Sequence, residues 1–148
     1  MNLILYCLKR FFKRNIIFQL HLIFDIVFHP SMFLQLLYLA KLKQNSNYRG
    51  LDFICIKNIE LGHSINIFIK HVKLKTENRI NIIKYLFNLN IYTFPLFLIR
   101  KHLPSSTNIQ LYTEDDKNYI VLNGNGRIYA FKQVNENIKV ECEIYKKK

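Results

Sequence analysis

The sequence predicts an α+β fold in which an N-terminal helical region precedes a domain of strands mixed with helices. Three observations support this class. Residues 1–44 contain long apolar runs with helical patterning, whereas residues 49–148 contain short β-rich runs separated by turn residues, with one clear helical stretch. Hydrophobic residues make up 50% of the 148 residues, which is enough for one domain with a real core and is not a disordered composition.

The N-terminal region is predicted to form two helices. The first, Ile16–Phe28, is strongly apolar but is interrupted by polar residues such as His21 and Asp25. It is also shorter than the roughly 20 residues that span a bilayer, so a buried helix is predicted rather than a transmembrane one. Pro30 then opens a second helix, Ser31–Lys43. Two interpretations stay open for this region: packing on the domain that follows, or contact with a membrane surface or a partner protein.

The start of the chain does not resemble an export signal. Its apolar segment Met1–Leu8 precedes the basic cluster Lys9–Arg14, the reverse of the secretory order. The three cysteines, Cys7, Cys55 and Cys142, lie far apart and show no C-x-x-C spacing. This argues against a disulfide framework or a zinc site and suits a reducing compartment. We therefore expect a protein of the cytoplasm or of an organelle interior, not a secreted one, and the AT-rich codon bias makes a plastid one candidate.

The polar run Gln44–Asn47 is the clearest linker and divides the chain into residues 1–44 and 49–148. After it, alternation, caps and turn residues predict the following elements in order: a strand in Leu51–Ile59, a turn at Glu60–Ser64, a strand at Ile65–Ile69 continuing to Lys75, a helix capped by Thr76 and ended by a left-handed Asn90, a strand at Thr93–Ile99, a loop at Pro104–Asn108, a hairpin of Ile109–Tyr112 and Tyr119–Leu122, a helix after Arg127, and a strand at Ile138–Tyr145.

The stretch Tyr119–Ala130, Y-I-V-L-N-G-N-G-R-I-Y-A, holds two of the four glycines in the chain. A strand that ends in a glycine turn and continues into a helix is a common anion site, because the free N–H groups of the first helical turn point at the ligand. Arg127 would add a planar charged fork. The predicted phosphate- or nucleotide-binding residues are Asn123, Gly124, Asn125, Gly126 and Arg127, with the two asparagines as amide donors. The alternative is an ordinary Asn-Gly turn followed by a solvated arginine.

A second loop, containing Glu60, His63 and Ser64, is a further candidate ligand contact, although a lone histidine beside glycine is more often a turn residue. No set of metal-binding side chains with sound spacing is present, so no metal site is predicted. The formal net charge of +12 favours an anionic partner such as a nucleotide or a nucleic acid. Lysine-rich codon usage explains the same charge without any partner.

The order of these elements, with Phe94-Pro95-Leu96 opening an apolar run and the hairpin closing in G-x-x-R-x-x-A at Gly124–Ala130, resembles the ParB/sulfiredoxin-like domain over about residues 52–145. The resemblance implies a small mixed sheet with packed helices, and it suggests a nucleotide, with magnesium, as ligand. In this fold the Glu60–Ser64 loop would lie near the glycine turn. Nothing in the resemblance accounts for residues 1–44.

The departures from the family motifs bear on catalysis. Sulfiredoxins carry a catalytic cysteine where this chain has Asn125. Partition-type ParB proteins have a Gly-Glu-Arg-Arg turn, of which Gly124 and Arg127 remain. They continue into a DNA-binding domain, which we do not expect in this chain. Serine kinases of the fold use an Asp-Gly-His-His-Arg-like motif, in which Asn123 and Gly126 replace the acid and a histidine. We therefore expect a ParB-like nucleotide- or phosphate-binding domain of unassigned activity, with a nucleic-acid-binding module or a docking protein acting through residues 1–44 as alternatives.

Overall fold

The computed structural model describes residues 30–65 and 67–148, and the predictions for residues 1–29 lie outside this part. The described chain is α+β, with four helices and one mixed six-stranded sheet, which confirms the predicted class. The helices are α1 (Pro30–Gln44), α2 (Lys70–Asn88), α3 (Leu96–His102) and α4 (Asn125–Lys132). The strands are β1 (Ser46–Cys55), β2 (Ile59–Glu60), β3 (Thr93–Phe94), β4 (Gln110–Thr113), β5 (Tyr119–Asn123) and β6 (Lys139–Lys147).

The sheet is built around β6. Strand β1 pairs antiparallel along one edge of β6, while β3 and β4 pair parallel with successive parts of its other edge. The order continues through β5, antiparallel to β4, to the short β2, parallel to β5. The predicted hairpin and final strand are thereby confirmed. In β5 the buried Val121 joins the main core and its neighbour Leu122 joins a separate cluster, because successive side chains of a strand face opposite sides.

The main core lies between the sheet and helices α2, α3 and α4. Ile83 of α2 and Ile128 of α4 are fully buried in it. The Phe94 and Phe131 rings meet edge to face with their centroids 4.9 Å apart. This packing joins α4 and the turn before it to the body of the protein, so the end of β5 is a rigid position for a site.

Helix α1 packs on the opposite face of the sheet, where Leu39 lies among Tyr112 and Leu122. The Lys43 ammonium donates to the Gln110 amide oxygen, which ties the end of α1 to β4. The predicted helix is therefore present and packed against the domain behind it. None of the helices in residues 30–65 and 67–148 is both long and apolar enough to cross a bilayer.

One predicted strand is wrong, and a second is confirmed only at its start. Residues 67–69 form a turn and α2 begins at Lys70, so the predicted strand of Ile65–Lys75 is mostly helix. Thr76 is not the cap: it is buried, 5% exposed, in the second turn of α2, where it shares the inward face with Ile83. The alternation that suggested a strand is fortuitous, since Leu74 is 57% exposed. Asn90 does adopt the predicted left-handed conformation, with φ 64°.

The predicted strand Thr93–Ile99 is also shorter in the structure. Only Thr93–Phe94 pairs with β6, and Pro95 is then the N-cap residue of α3, which begins at Leu96. The Leu96 N–H has no acceptor within the helix, because it lies in the first turn, and it donates instead to a Glu141 carboxylate oxygen at 2.6 Å. Proline suits a helix start as well as a strand start, and this acceptor stabilises the helix. The polar run Gln44–Asn47 is likewise a short junction, since α1 ends at Gln44 and β1 begins at Ser46.

Candidate functional site

The turn between β5 and α4 depends on Gly124. This residue has φ 96° and ψ 19°, the left-handed conformation that glycine adopts at no steric cost. A Cβ at Gly124 would lie 3.0 Å from Ile109 Cγ1 and 3.1 Å from Arg127 Nη2. Both the backbone conformation and the close approach of the guanidinium therefore require glycine.

The first turn of α4 leaves backbone donors without acceptors. The Gly124 carbonyl accepts from the N–H groups of Arg127 (2.9 Å) and Ile128 (3.1 Å). The N–H groups of Asn125 and Gly126 have no acceptor within the described residues. Unpaired N–H groups at a helix start carry partial positive charge and are suited to an anion.

Asn125 fastens this turn to the Glu60–Ser64 loop. It is 7% exposed, its Oδ1 accepts from the Gly62 N–H at 2.9 Å, and its Nδ2 donates to the His63 carbonyl. The loop does lie beside the glycine turn. The Asn125 amide, however, is occupied by the protein's own backbone, whereas the sequence predicts it as a ligand donor.

Asn125→Ala is expected to lower the free energy of unfolding by about 2 kcal/mol, because it leaves the partly buried Gly62 N–H and His63 carbonyl without partners. Urea denaturation of the variant and the parent measures this. Asn78→Ala, on the exposed side of α2, is the matched control and should change stability by less than about 0.5 kcal/mol. Equal stabilities of the two variants would contradict the role of the Asn125 side chain in joining the turn to the Glu60–Ser64 loop.

Arg127 is a buried cation that the protein neutralises only in part. It is 3% exposed, and its Nη2 donates to the Thr107 carbonyl at 2.8 Å. Its other N–H donors have no acceptor and its charge has no ion-pair partner within the described residues. Burial, and then the charge of Arg79, lowers its pKa to about 10. Arg127 is thus not the solvated arginine of the ordinary-turn alternative but a buried charge beside the turn.

Two further cations lie one helical turn apart on α2, at Lys75 and Arg79. The Arg79 Nη1 lies 2.8 Å from the position that a Cβ on Gly126 would occupy, so its guanidinium packs directly on that glycine. Burial lowers the pKa of Arg79. The pKa of Lys75 is lowered by burial, and further by the charges of Arg79 and Arg127. These three side chains, Lys75, Arg79 and Arg127, form one cation cluster around the turn.

The sequence did not single out Lys75 or Arg79 as central. The sequence predicts Lys75 at the end of a strand, and it predicts Arg79 in the helix cap Thr76–Arg79, which is only secondarily a candidate ligand contact. The signal that identifies them is the i,i+4 spacing of two basic residues once the segment is known to be helical.

Of the other predicted site residues, Asn123 and His63 lie near the turn, whereas Glu60 lies away from it. Asn123 ends β5 half-buried and pairs with β4, and His63 Nδ1 bonds to the Ser64 carbonyl at 2.9 Å. Glu60 instead lines a separate cavity of about 200 Å³ with Tyr112 and Glu114. It pairs with Ile120, about 13 Å along β5 from Gly124 at 3.3 Å per residue. The structure therefore brings the loop backbone, but not the Glu60 carboxylate, to the turn.

Within residues 30–65 and 67–148, no three histidine, cysteine or acidic side chains are placed to hold a metal ion. The described residues around the turn offer hydrogen-bond donors and positive charges. Comparisons of the chain with protein-family models, with curated proteins and with solved structures find no match. A class of protein is therefore inferred from the site alone.

Proposed function

We propose that this protein binds a phosphate group, carried by a nucleotide or a related small molecule, at the turn between β5 and α4. The observation that carries the proposal is the buried charge of Arg127, which has unused donors and no acid partner within the described residues. An unpaired charge in a protein interior destabilises the fold unless an opposite charge and hydrogen-bond acceptors reach it. A phosphate supplies both.

The remaining groups around the turn have complementary roles. The N–H groups of Asn125 and Gly126 would donate to phosphate oxygens, and Gly126 leaves room for them. Arg79 lies against Gly126 and would be the first guanidinium that a ligand meets. The more exposed Lys75 would provide a point charge at the entrance.

The ParB/sulfiredoxin-like resemblance is part of this proposal. The hairpin, the Gly124–Ala130 motif and the neighbouring Glu60–Ser64 loop support it, whereas the helix after Pro95 departs from the expected strand. We propose a binding domain whose activity is unassigned, since the positions that act in family relatives hold Asn125 and Gly126. The unpaired thiols of Cys55 and Cys142 fit the proposed reducing compartment, the cytoplasm or an organelle interior such as a plastid.

A nucleic-acid-binding module is the second candidate. Helix α2 has no acid in its first turn and begins with basic residues including Lys70 and Lys73, an unfavourable arrangement for an isolated helix dipole. A bound polyanion would offset the repulsion between these lysines and the positive end of the helix dipole. Binding of this kind weakens steeply with added salt.

The test is thermal unfolding of the full chain in the presence of a nucleotide panel, inorganic phosphate and an oligonucleotide. We expect at least one phosphate ligand to raise the unfolding temperature of the parent. In Arg79→Gln the affinity should fall about tenfold, the effect of losing one charge-assisted contact of about 1.4 kcal/mol.

Lys84→Ala is the matched control, because Lys84 lies on the exposed side of the same helix, away from the cluster. It should respond to ligand like the parent. No stabilisation by any phosphate ligand, or equal responses of Arg79→Gln and the parent, would overturn the proposal.

A further inference from the structure

The cation cluster has an unusually high local charge. Lys75, Arg79 and Arg127 contribute three positive charges, and the start of α4 adds its partial charge. Within the described residues, no carboxylate affects the pKa of any of these three side chains. The nearest acid on α2, Glu77, pairs instead with Lys73 at 3.9 Å. The three charges therefore repel one another without local compensation.

Access to the site is also narrow. Arg127 is 3% exposed, and the Arg79 Nη1 lies 2.8 Å from the position of a Cβ on Gly126, so the two guanidinium groups leave little space beside the turn. A terminal phosphate presents three oxygens in a compact group. An internal phosphodiester carries a substituent on both sides and leaves only two oxygens free.

We propose that the site selects a terminal phosphate monoester, in its doubly charged form and without a divalent metal, over a phosphodiester or a magnesium-bound phosphate. This inference rests on the proposed function and specifies its ligand. Two negative charges compensate the cluster better than the single charge of a diester. A magnesium ion on the phosphate would cancel its two negative charges, so the neutral complex loses the attraction to the cluster that the free phosphate has.

Lys75 is the residue that we expect to contribute most to the preference for a doubly charged phosphate over a singly charged one. It is the most exposed member of the cluster, and its pKa is lowered first by partial burial and then by both arginine charges. It therefore gains most from a second negative charge at the entrance. Its removal should reduce the preference for the monoester while leaving the backbone donors and Arg127 in place.

The experiment is a calorimetric titration of the full chain with AMP and with 3′,5′-cyclic AMP, each with magnesium and with EDTA. These ligands share a base and a sugar but differ in phosphate charge. We expect AMP to bind at least about tenfold more tightly than cyclic AMP, the equivalent of one strong charge-assisted contact. We expect magnesium to leave the AMP affinity unchanged or to weaken it. Lys75→Ala should reduce the ratio of the AMP affinity to the cyclic AMP affinity, whereas Lys84→Ala should leave this ratio as in the parent.

Further titrations with inorganic phosphate and with an oligonucleotide, with and without a 5′-phosphate, identify the source of the monoester. Equal affinities for AMP and cyclic AMP, or AMP binding only with magnesium, would overturn this inference while leaving phosphate binding intact. Absence of binding to every ligand would instead overturn the proposed function.

Discussion

Gly62→Ala is expected to lower the free energy of unfolding by about 3 kcal/mol, at the upper end for an overpacked site. A Cβ at this position would lie 2.2 Å from the Val121 carbonyl oxygen and 2.7 Å from Leu39 Cδ1. Neither the loop nor β5 can retreat freely, because the Gly62 N–H is bonded to Asn125. Denaturant unfolding followed by far-UV circular dichroism measures the change.

The double variant Leu39→Ala/Gly62→Ala separates the two clashes. Truncating Leu39 removes the side-chain contact but not the contact with the backbone oxygen of Val121, so it should not restore stability. Gly62→Ala with a free energy of unfolding within about 0.5 kcal/mol of the parent would contradict this packing of the loop.

Arg127→Met is expected to weaken ligand binding without lowering the stability of the fold. The pKa of Arg127 is lowered from 12.5 to about 10 by burial and by Arg79, so at neutral pH its charged form favours the unfolded chain. Replacing it with an apolar side chain of similar length removes that penalty and loses one hydrogen bond to Thr107. The free energy of unfolding should therefore stay within about 1 kcal/mol of the parent, or rise.

The same variant should lose stabilisation by phosphate ligands. Arg100→Met is the control, because Arg100 lies on the surface and bonds only to the Asn108 side chain, at 3.1 Å, within the described residues. It should respond to ligand as the parent does. A loss of more than about 3 kcal/mol in Arg127→Met would mean that the arginine is a structural link to the Thr107 loop and not a charge held for an anion.

The sequence was sufficient where a local pattern and the tertiary environment agree. The hairpin and β6 show clear alternation, and Asn90 adopts the left-handed conformation that its side chain tolerates well. It was insufficient at Ile65–Lys75, where a short alternating run of Ile and Lys fits both a strand and a helix start. Only tertiary packing, which buries Thr76 and Ile83 on the inward face of α2, identifies the helix.

The candidate site shows the same division. Glycine spacing located the turn at Gly124 and Gly126, because backbone conformation is a local property. It did not show that the Asn125 side chain is used within the fold, since its partners lie 62 and 63 residues earlier in the chain. Nor did it show that Arg79 reaches Gly126, because that contact depends on how α2 and α4 pack.

Calorimetric titration of the full chain with AMP, repeated with Arg79→Gln and Arg127→Met, tests the central claim most directly. The account predicts binding to one site with a dissociation constant at or below about 1 mM, a free energy of about −4 kcal/mol. Both variants should bind at least about tenfold more weakly. Undetectable binding by the parent, or equal affinities of the three proteins, would contradict the assignment of this turn as a phosphate site.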